Sequence, residues 1–357
     1  MKSAPQRVGT FASALMALAL VASACSGGDD KTADGAGGNK GTDGGGLGGE
    51  VIVTGSSTVE PISAANVEKF GAENDAVAIS VDGPGTGDGF EIFCSGEADI
   101  ADASRPIKEE EIQACADNGI EFVELFIGRD ALSVITSPDN DAVECLSFLD
   151  LYALLGPEAE GSTWSDADDL AGDIEGALEG KFGASHAPYP DEDLVVTAPG
   201  EESGTYDSFV ELAFDKIAEE RGVDGAARPD YQASPNDNVI IEGVGGSSSS
   251  LGWVGFAFVK DNLDTVKAIE VDGGDGCVAP SDETVNDGTY PLSRGLLIYV
   301  NKAKAEENAA LSAFVDFYLS DEGLASVTEV GYVAMTDEEI TATRATWDAK
   351  TTGTHET

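Results

Sequence analysis

Three times along this chain a short apolar run ends in a loop of glycines and hydroxyls, and a helix-like stretch follows. Val51-Ile52-Val53 leads into Thr54-Gly55-Ser56-Ser57-Thr58, with a helix predicted through Phe70. Val77 to Val81 leads into Asp82-Gly83-Pro84-Gly85-Thr86-Gly87 and a second helix through Cys94. Leu194 to Thr197 leads into Pro199-Gly200-Glu201-Glu202-Ser203-Gly204-Thr205. Phe209, Val210, Ala213, Phe214 and Ile217 then recur at helical spacing within 206–220. Runs rich in β-branched and aromatic residues, bounded by turn formers, read as strands. Further strands are predicted at Phe122 to Ile127, Ala131 to Thr136, Trp253 to Val259 and Gly295 to Val300. Leu311, Phe314, Val315, Tyr318 and Leu319 mark a late helix. Such alternation means an α/β protein with largely parallel sheets.

The strand–loop–helix junctions have a chemistry of their own. A helix start carries unsatisfied N–H groups and the positive end of the helix dipole, so it attracts an anion. Glycine lets the backbone come close, and Ser or Thr hydroxyls add donors. Ligands of open α/β sheets also sit beyond the carboxyl ends of the strands, where these loops fall. One such loop alone is an ordinary capped helix, because Ser, Thr and Gly are preferred caps. Three with one layout point to an anion site.

The charge makes that site harder to build. The 357 residues carry 19 Lys+Arg against 67 Asp+Glu, a formal charge of −48. Such an excess repels nucleic acid and anionic lipid, so an anion here must be held by local dipoles and a few cations. The length suits about two domains of roughly 150 residues each. Lys2 and Arg7 precede an apolar run from Phe11 to Ala22, too short to span a bilayer comfortably. Ala22-Ser23-Ala24-Cys25 resembles a bacterial lipobox, so residues 1–25 read as a leader with Cys25 the lipidated residue. Ala22 stands where a large aliphatic residue is usual, which leaves ordinary cleavage as the alternative. Residues 26–49, dominated by Gly, Asp, Lys and Thr, read as a flexible tether.

Beyond Cys25 stand Cys94, Cys115, Cys145 and Cys277. Four cysteines in an exported chain imply disulfides, with three connectivities open. The local pairing Cys94–Cys115 is preferred, which leaves Cys145–Cys277. No Cys-x-x-Cys spacing or Cys/His cluster in the sequence suggests a metal, and no cofactor is expected. An enzyme is not expected either. Neither of the two histidines, His186 and His355, sits in a setting that suggests a base acting on a nucleophile, and Ser203 lacks a Gly-x-Ser-x-Gly elbow. Gly243 to Ser250 lacks the lysine of a phosphate-binding loop and reads as a surface turn. Trp164, Trp253 and Trp347 read as packing residues.

Gly55-Ser56-Ser57-Thr58-Val59, Gly83-Pro84-Gly85-Thr86-Gly87, the run from Ala98 to Pro106 with Ser104-Arg105-Pro106, and Ser203-Gly204-Thr205 occur in this order. In that order they resemble PstS-type phosphate-binding proteins, especially the SphX-like branch with a Ser-Arg-Pro motif. The likeness spans roughly Glu50 to Met335. It implies a type II periplasmic-binding-protein fold: two α/β lobes joined by two crossover strands. The crossings are expected near Phe126-Ile127 and Pro291-Leu292, giving residues 50–127 plus 292–357 as one lobe and 128–291 as the other. It also implies a monomer, held outside the cytoplasm by its lipid, that delivers inorganic phosphate to an ABC permease.

Residue by residue, the resemblance implies ligand contacts from Thr58 and the Val59 N–H, with Ser57 able to substitute, from Thr86, and from Ser203, Gly204 and Thr205. Two positions depart from the family. Ser104 stands where many members place an Asp that accepts the ligand's proton, and Pro199 stands where many carry an Arg. Arg105, beside Ser104, is expected to supply the cation through a bidentate contact. Asp102 and Asp88 are alternative proton acceptors, and Arg294 is a minor candidate contact. The alternatives in function are capture of another oxyanion, such as sulfate or molybdate, or a surface phosphate sensor or adhesin.

Overall fold

The computed structural model describes residues 47–355. The expected leader, Cys25 and most of the tether lie outside the described residues. The first strand takes in the tether's last residue.

The strands are β1 (Gly49–Gly55), β2 (Val77–Asp82), β3 (Ile100–Ala103), β4 (Phe122–Thr136), β5 (Cys145–Ser147) and β6 (Val195–Ala198). They continue with β7 (Gln232–Ala233), β8 (Ser250–Gly255), β9 (Lys267–Ala268), β10 (Glu270–Asp272), β11 (Cys277–Val278) and β12 (Ser293–Asn301). The helices are α1 (Glu60–Glu73), α2 (Thr86–Cys94), α3 (Glu109–Asp117), α4 (Phe148–Leu155), α5 (Asp168–Leu178), α6 (Gly204–Phe209) and α7 (Asp215–Arg221). After them come α8 (Asp237–Gly245), α9 (Phe256–Lys260), α10 (Asp282–Asn286), α11 (Lys302–Glu307), α12 (Ala309–Tyr318), α13 (Asp321–Glu329) and α14 (Asp337–Ala349).

One curled sheet runs β2-β1-β3-β12-β4-β8-β6-β7, with β9 on β4, and a small sheet runs β11-β10-β5. β1 lies parallel to β2 and β3, and β6 parallel to β7 and β8. Each parallel set is threaded by helices, as strand–helix alternation demands. β4 and β12 are antiparallel and join the two sets.

Each set has its own core. Val51, Val53, Phe90, Phe93, Ile127 and Tyr299 pack with Phe314 and Trp347 in one. Leu132, Tyr152, Trp164, Phe209, Phe214 and Trp253 pack in the other. β4 leaves the first core after Ile127 and joins the second at Ala131; the chain entering β12 passes between them from Leu292 to Leu296. Two α/β lobes joined by two crossover strands are the result. Disulfides join Cys94 to Cys115 and Cys145 to Cys277. All three tryptophans are buried in the cores.

Three local expectations need correction. The surface turn read over Gly243 to Ser250 is the end of α8, a short turn and the start of β8, with Val244 and Ser250 buried. Phe122–Ile127 and Ala131–Thr136 are not separate strands but one of 15 residues. The Gly128-Arg129-Asp130 step between them stays paired with β12, through Leu296, Gly295 and Arg294. The strand expected over Trp253 to Val259 stops at Gly255, and Phe256–Lys260 is helical. An unbroken apolar run has neither period, so it cannot tell helix from strand. The helix expected over 206–220 forms as α6, a π turn at Val210–Phe214, and α7.

Candidate anion-binding site

The loops after β1, β2 and β3 interlock at one end of the first lobe. Ser56 N–H donates to the Asp102 carbonyl and Gly85 N–H to the Gly55 carbonyl, both at 2.8 Å. Gly55 has φ +138°, and a Cβ there would lie 2.1 Å from the Asp102 carbonyl oxygen. A Cβ on Gly89 of α2 would lie 2.3 Å from the Gly55 Cα. Only glycine permits that approach. It brings the start of α2 against the first loop.

On this rim Thr58, Thr86 and Ser104 are buried. Thr86 Oγ1 is 3.1 Å from Ser104 Oγ and accepts from the Ser104 N–H at 3.3 Å. Thr58 N–H donates to Ser56 Oγ at 3.2 Å. The Val59 N–H, expected on the ligand, donates instead to the Ser56 carbonyl at 3.1 Å, and Glu60 N–H joins it at 2.9 Å. The turn into α1 closes on itself, which satisfies the first donors of the helix internally. Ser57 is exposed beside it.

The second lobe faces this rim with the start of α6. Ser203 caps the helix, accepting from Thr205 N–H at 3.2 Å. Gly204 and Thr205 line a cleft of about 540 Å3 together with Pro61 of α1, Asp130 and Leu132 of β4, and Tyr332. One turn further along, Ser208 Oγ lies 3.5 Å from Thr58 Oγ1. The two lobes therefore touch through Thr58 of the first turn and Ser208 within α6, while Gly204 and Thr205 open onto the cleft.

Arg294 holds that meeting point. Its Nη2 donates to Thr58 Oγ1 at 2.9 Å and to Ser208 Oγ at 3.0 Å. Nε donates to Asp130 Oδ2 at 3.3 Å, and Nη1 pairs with Glu211 Oε2 at 2.5 Å. Burial pulls this guanidinium's pKa down, but Asp130 and Glu211 outweigh it and the net shift is upward. The arginine is a fixed cation.

Arg105 differs from expectation. Its guanidinium is bidentate on Glu111, at 2.8 and 2.7 Å, and lies 5.5 Å over the Phe90 ring. Glu111 is fixed there because its carboxylate also accepts from Lys108 N–H at the start of α3. Arg105 stays beside the α2 start, 3.9 Å from where a Gly87 Cβ would stand, but it arrives with a partner. Sequence reasoning gave Arg294 the lesser role. Its place there comes from the β4–β12 register, which sets Arg294 opposite Asp130.

Three carboxylates bear on the site's protonation. Asp130 is buried, and desolvation raises its pKa against the pull of Arg294; its Oδ1 has no hydrogen-bond partner among the described residues. Asp102 is buried too, and desolvation pushes it up to about 7, with Ser63 pulling the other way. Its Oδ1 is likewise unpartnered among the described residues. Asp88 is exposed in the first turn of α2.

Two α/β lobes joined by two antiparallel strands, with polar helix starts at the cleft between them, are the architecture of a two-lobed solute-binding protein. Residues 32–322 match the PBP superfamily domain. The chain belongs to that superfamily and has its type II fold. It is 40% identical over 289 residues to the protein SphX of Synechocystis sp., covering 81% of this chain and 79% of that one. It is 33% identical over 303 residues to the phosphate-binding protein PstS of Staphylococcus saprophyticus, covering 84% and 85%. The crystal structure of a possible phosphate-binding protein from Planctomyces limnophilus superposes with a TM-score of 0.76 at 32% identity, covering 85% of this chain and 99% of that chain.

Proposed function

We propose that this protein captures inorganic phosphate outside the cytoplasm and delivers it to an ABC permease, tethered to the membrane by a lipid on Cys25. The observation that carries this reading is the single Arg294 Nη2 that bonds Thr58 of one lobe and Ser208 of the other. A tetrahedral dianion accepts several hydrogen bonds at once, and charge-assisted ones are the strongest. Thr58, Thr86, Ser104, Ser203, Gly204 and Thr205 supply neutral donors around it, with Ser57 and Arg105 at the margin. The name of the relative in Staphylococcus, a phosphate-binding protein, agrees with this ligand class.

The mechanism is reversible capture with no covalent step. Residues 50–127 plus 292–357 and residues 128–291 close as two bodies about Gly128–Asp130 and Ser293–Gly295. Closure expels water and strengthens each bond to the ligand. The closed monomer then docks on the permease.

Ser104 and Pro199 leave a second oxyanion, sulfate, as the competing ligand. We assign the proton-accepting role that a carboxylate at position 104 would play to Asp130, the buried carboxylate on Arg294 with an unpartnered oxygen. Hydrogen phosphate donates a proton to such a group, and sulfate has none to donate at neutral pH. Titration calorimetry with phosphate and with sulfate tests both points. Phosphate is expected to bind at least a hundredfold tighter, and Asp130→Asn to narrow that gap. Equal binding by the unmodified chain would remove phosphate as the assigned ligand and leave the anion site standing.

A further inference from the structure

A second group of chemically active side chains lies on the small sheet of the second lobe. Cys145 of β5 and Cys277 of β11 are joined there, and His186 stands against them. The two sulfurs and an imidazole nitrogen lie within 4.8 Å of one another, with Cys277 Sγ 3.8 Å from His186 Nε2. None of these residues belongs to the anion cleft.

The imidazole is aimed from behind. His186 Nδ1 is 2.6 Å from Asp150 Oδ2, which already accepts from the Ser147 N–H at 2.8 Å and the Ser147 hydroxyl at 2.9 Å. The other carboxylate oxygen accepts from the His186 N–H at 3.0 Å and from the Tyr189 hydroxyl. Asp150 is fully buried. With Nδ1 on that carboxylate, the ring is oriented so that Nε2 faces the sulfurs. Proteins hold metal-binding histidines in this way.

We propose that opening the Cys145–Cys277 disulfide creates a Cys2His site for a zinc-class divalent cation, with water completing the coordination. A thiol or phosphine reductant gives two electrons to the S–S bond, and each sulfur takes up one proton. A thiol reductant leaves as its disulfide; a phosphine leaves as its oxide, with one water supplying the oxygen and both protons. The cation then displaces both thiol protons, and two thiolates and Nε2 bind it. The pairing of two soft donors with an imidazole selects zinc over magnesium or calcium.

The strands that carry the sulfurs are held together without their bond. β10 lies between their strands and pairs with both, through Glu270 opposite Cys145 and Asp272 opposite Cys277. His186 and Cys277 are exposed and Cys145 is half-buried, so reductant and ion can reach them. Cys94 and Cys115 are buried, so mild reduction opens the outer bond first. The acidic background draws cations toward the surface.

Cobalt(II) reports the site spectroscopically. The full chain is treated with a phosphine under conditions that free two thiols, then titrated with Co2+. Expected are one ion per chain, a thiolate-to-cobalt band in the near ultraviolet and tetrahedral visible bands, all absent from the oxidised chain. Zn2+ should bleach them. His186→Ala should weaken uptake at least tenfold, and alkylating Cys145 and Cys277 should abolish it. Absence of uptake by the reduced chain overturns the proposal, as does equal uptake by the oxidised or alkylated chain, or an unchanged spectrum and affinity in His186→Ala.

Discussion

The two sides of the cleft are built differently. On the first lobe, backbone bonds and two glycine contacts lock three loops into one rim. Its hydroxyls already have protein partners: Thr86 with Ser104, and Thr58 with Arg294. The second lobe offers one helix start, whose Ser203, Gly204 and Thr205 are only partly covered, and Ser208 a turn beyond. A pre-organised surface thus faces an accessible one. Arg294, on a crossover strand, bonds both. The acidic charge of the chain also reaches the site, since each arginine there brings a carboxylate: Glu111 for Arg105, Asp130 and Glu211 for Arg294. An arriving anion must displace or outbid Glu211, the more exposed of the latter two.

Removing the bridge breaks the comparison most severely. Arg294→Ala should weaken phosphate binding by about 3–5 kcal/mol, as loss of a buried charge-assisted partner does. Calorimetry measures it. Trp253, stacked 4.3 Å from the Phe209 ring beside Ser208, offers a fluorescence readout. Undiminished binding would show that the lobes hold the ligand without their shared cation.

The rim's rigidity has a pH signature. Asp102, raised from 3.8 to about 7 by burial, binds its proton more tightly folded than unfolded. Its ionisation therefore opposes folding, and stability should fall as pH rises from about 4 through 7. The loss is about 2–4 kcal/mol. Denaturant midpoints across that range should slope less in Asp102→Asn. Parallel slopes in both chains would remove Asp102 as the cause.

Smaller changes sharpen the contrast between the sides. Thr58→Val should cost about 1–2 kcal/mol of binding, because a buried hydroxyl on the guanidinium is lost. Ser203→Ala should cost about 1 kcal/mol, chiefly in the stability of the α6 start. If Ser203→Ala harmed binding more than Thr58→Val, the accessible side would be the dominant one. Glu211→Gln should tighten phosphate binding by a few fold, since the competing carboxylate is half-exposed and its pairing is worth about 1 kcal/mol or less. Weaker binding would instead give Glu211 a supporting role.

Much of this was legible in residue order. Val51 to Thr58, Val77 to Thr86 and Leu194 to Thr205 follow a local rule: β-branched run, glycine turn, capped helix. Local rules need no knowledge of distant partners, so these junctions and the α/β class could be read directly. Arg105 was read from its neighbour Ser104, which belongs to the rim, while its partner Glu111 arrives six residues later on α3. The Val59 amide's partner within its own turn depends on backbone angles that residue types do not specify.

The chain's order of residue types thus determined which segments become strands and helices, where the backbone must be glycine, and which hydroxyls stand at helix starts. Tertiary structure alone decided which charges face each other. Pairing of β4 with β12 put Arg294 opposite Asp130 across 164 positions, and folding of the second lobe set His186 against two cysteines. Backbone preferences act within a few residues, whereas charges and sulfurs meet wherever sheet register and packing bring them, and no short stretch of sequence encodes that register.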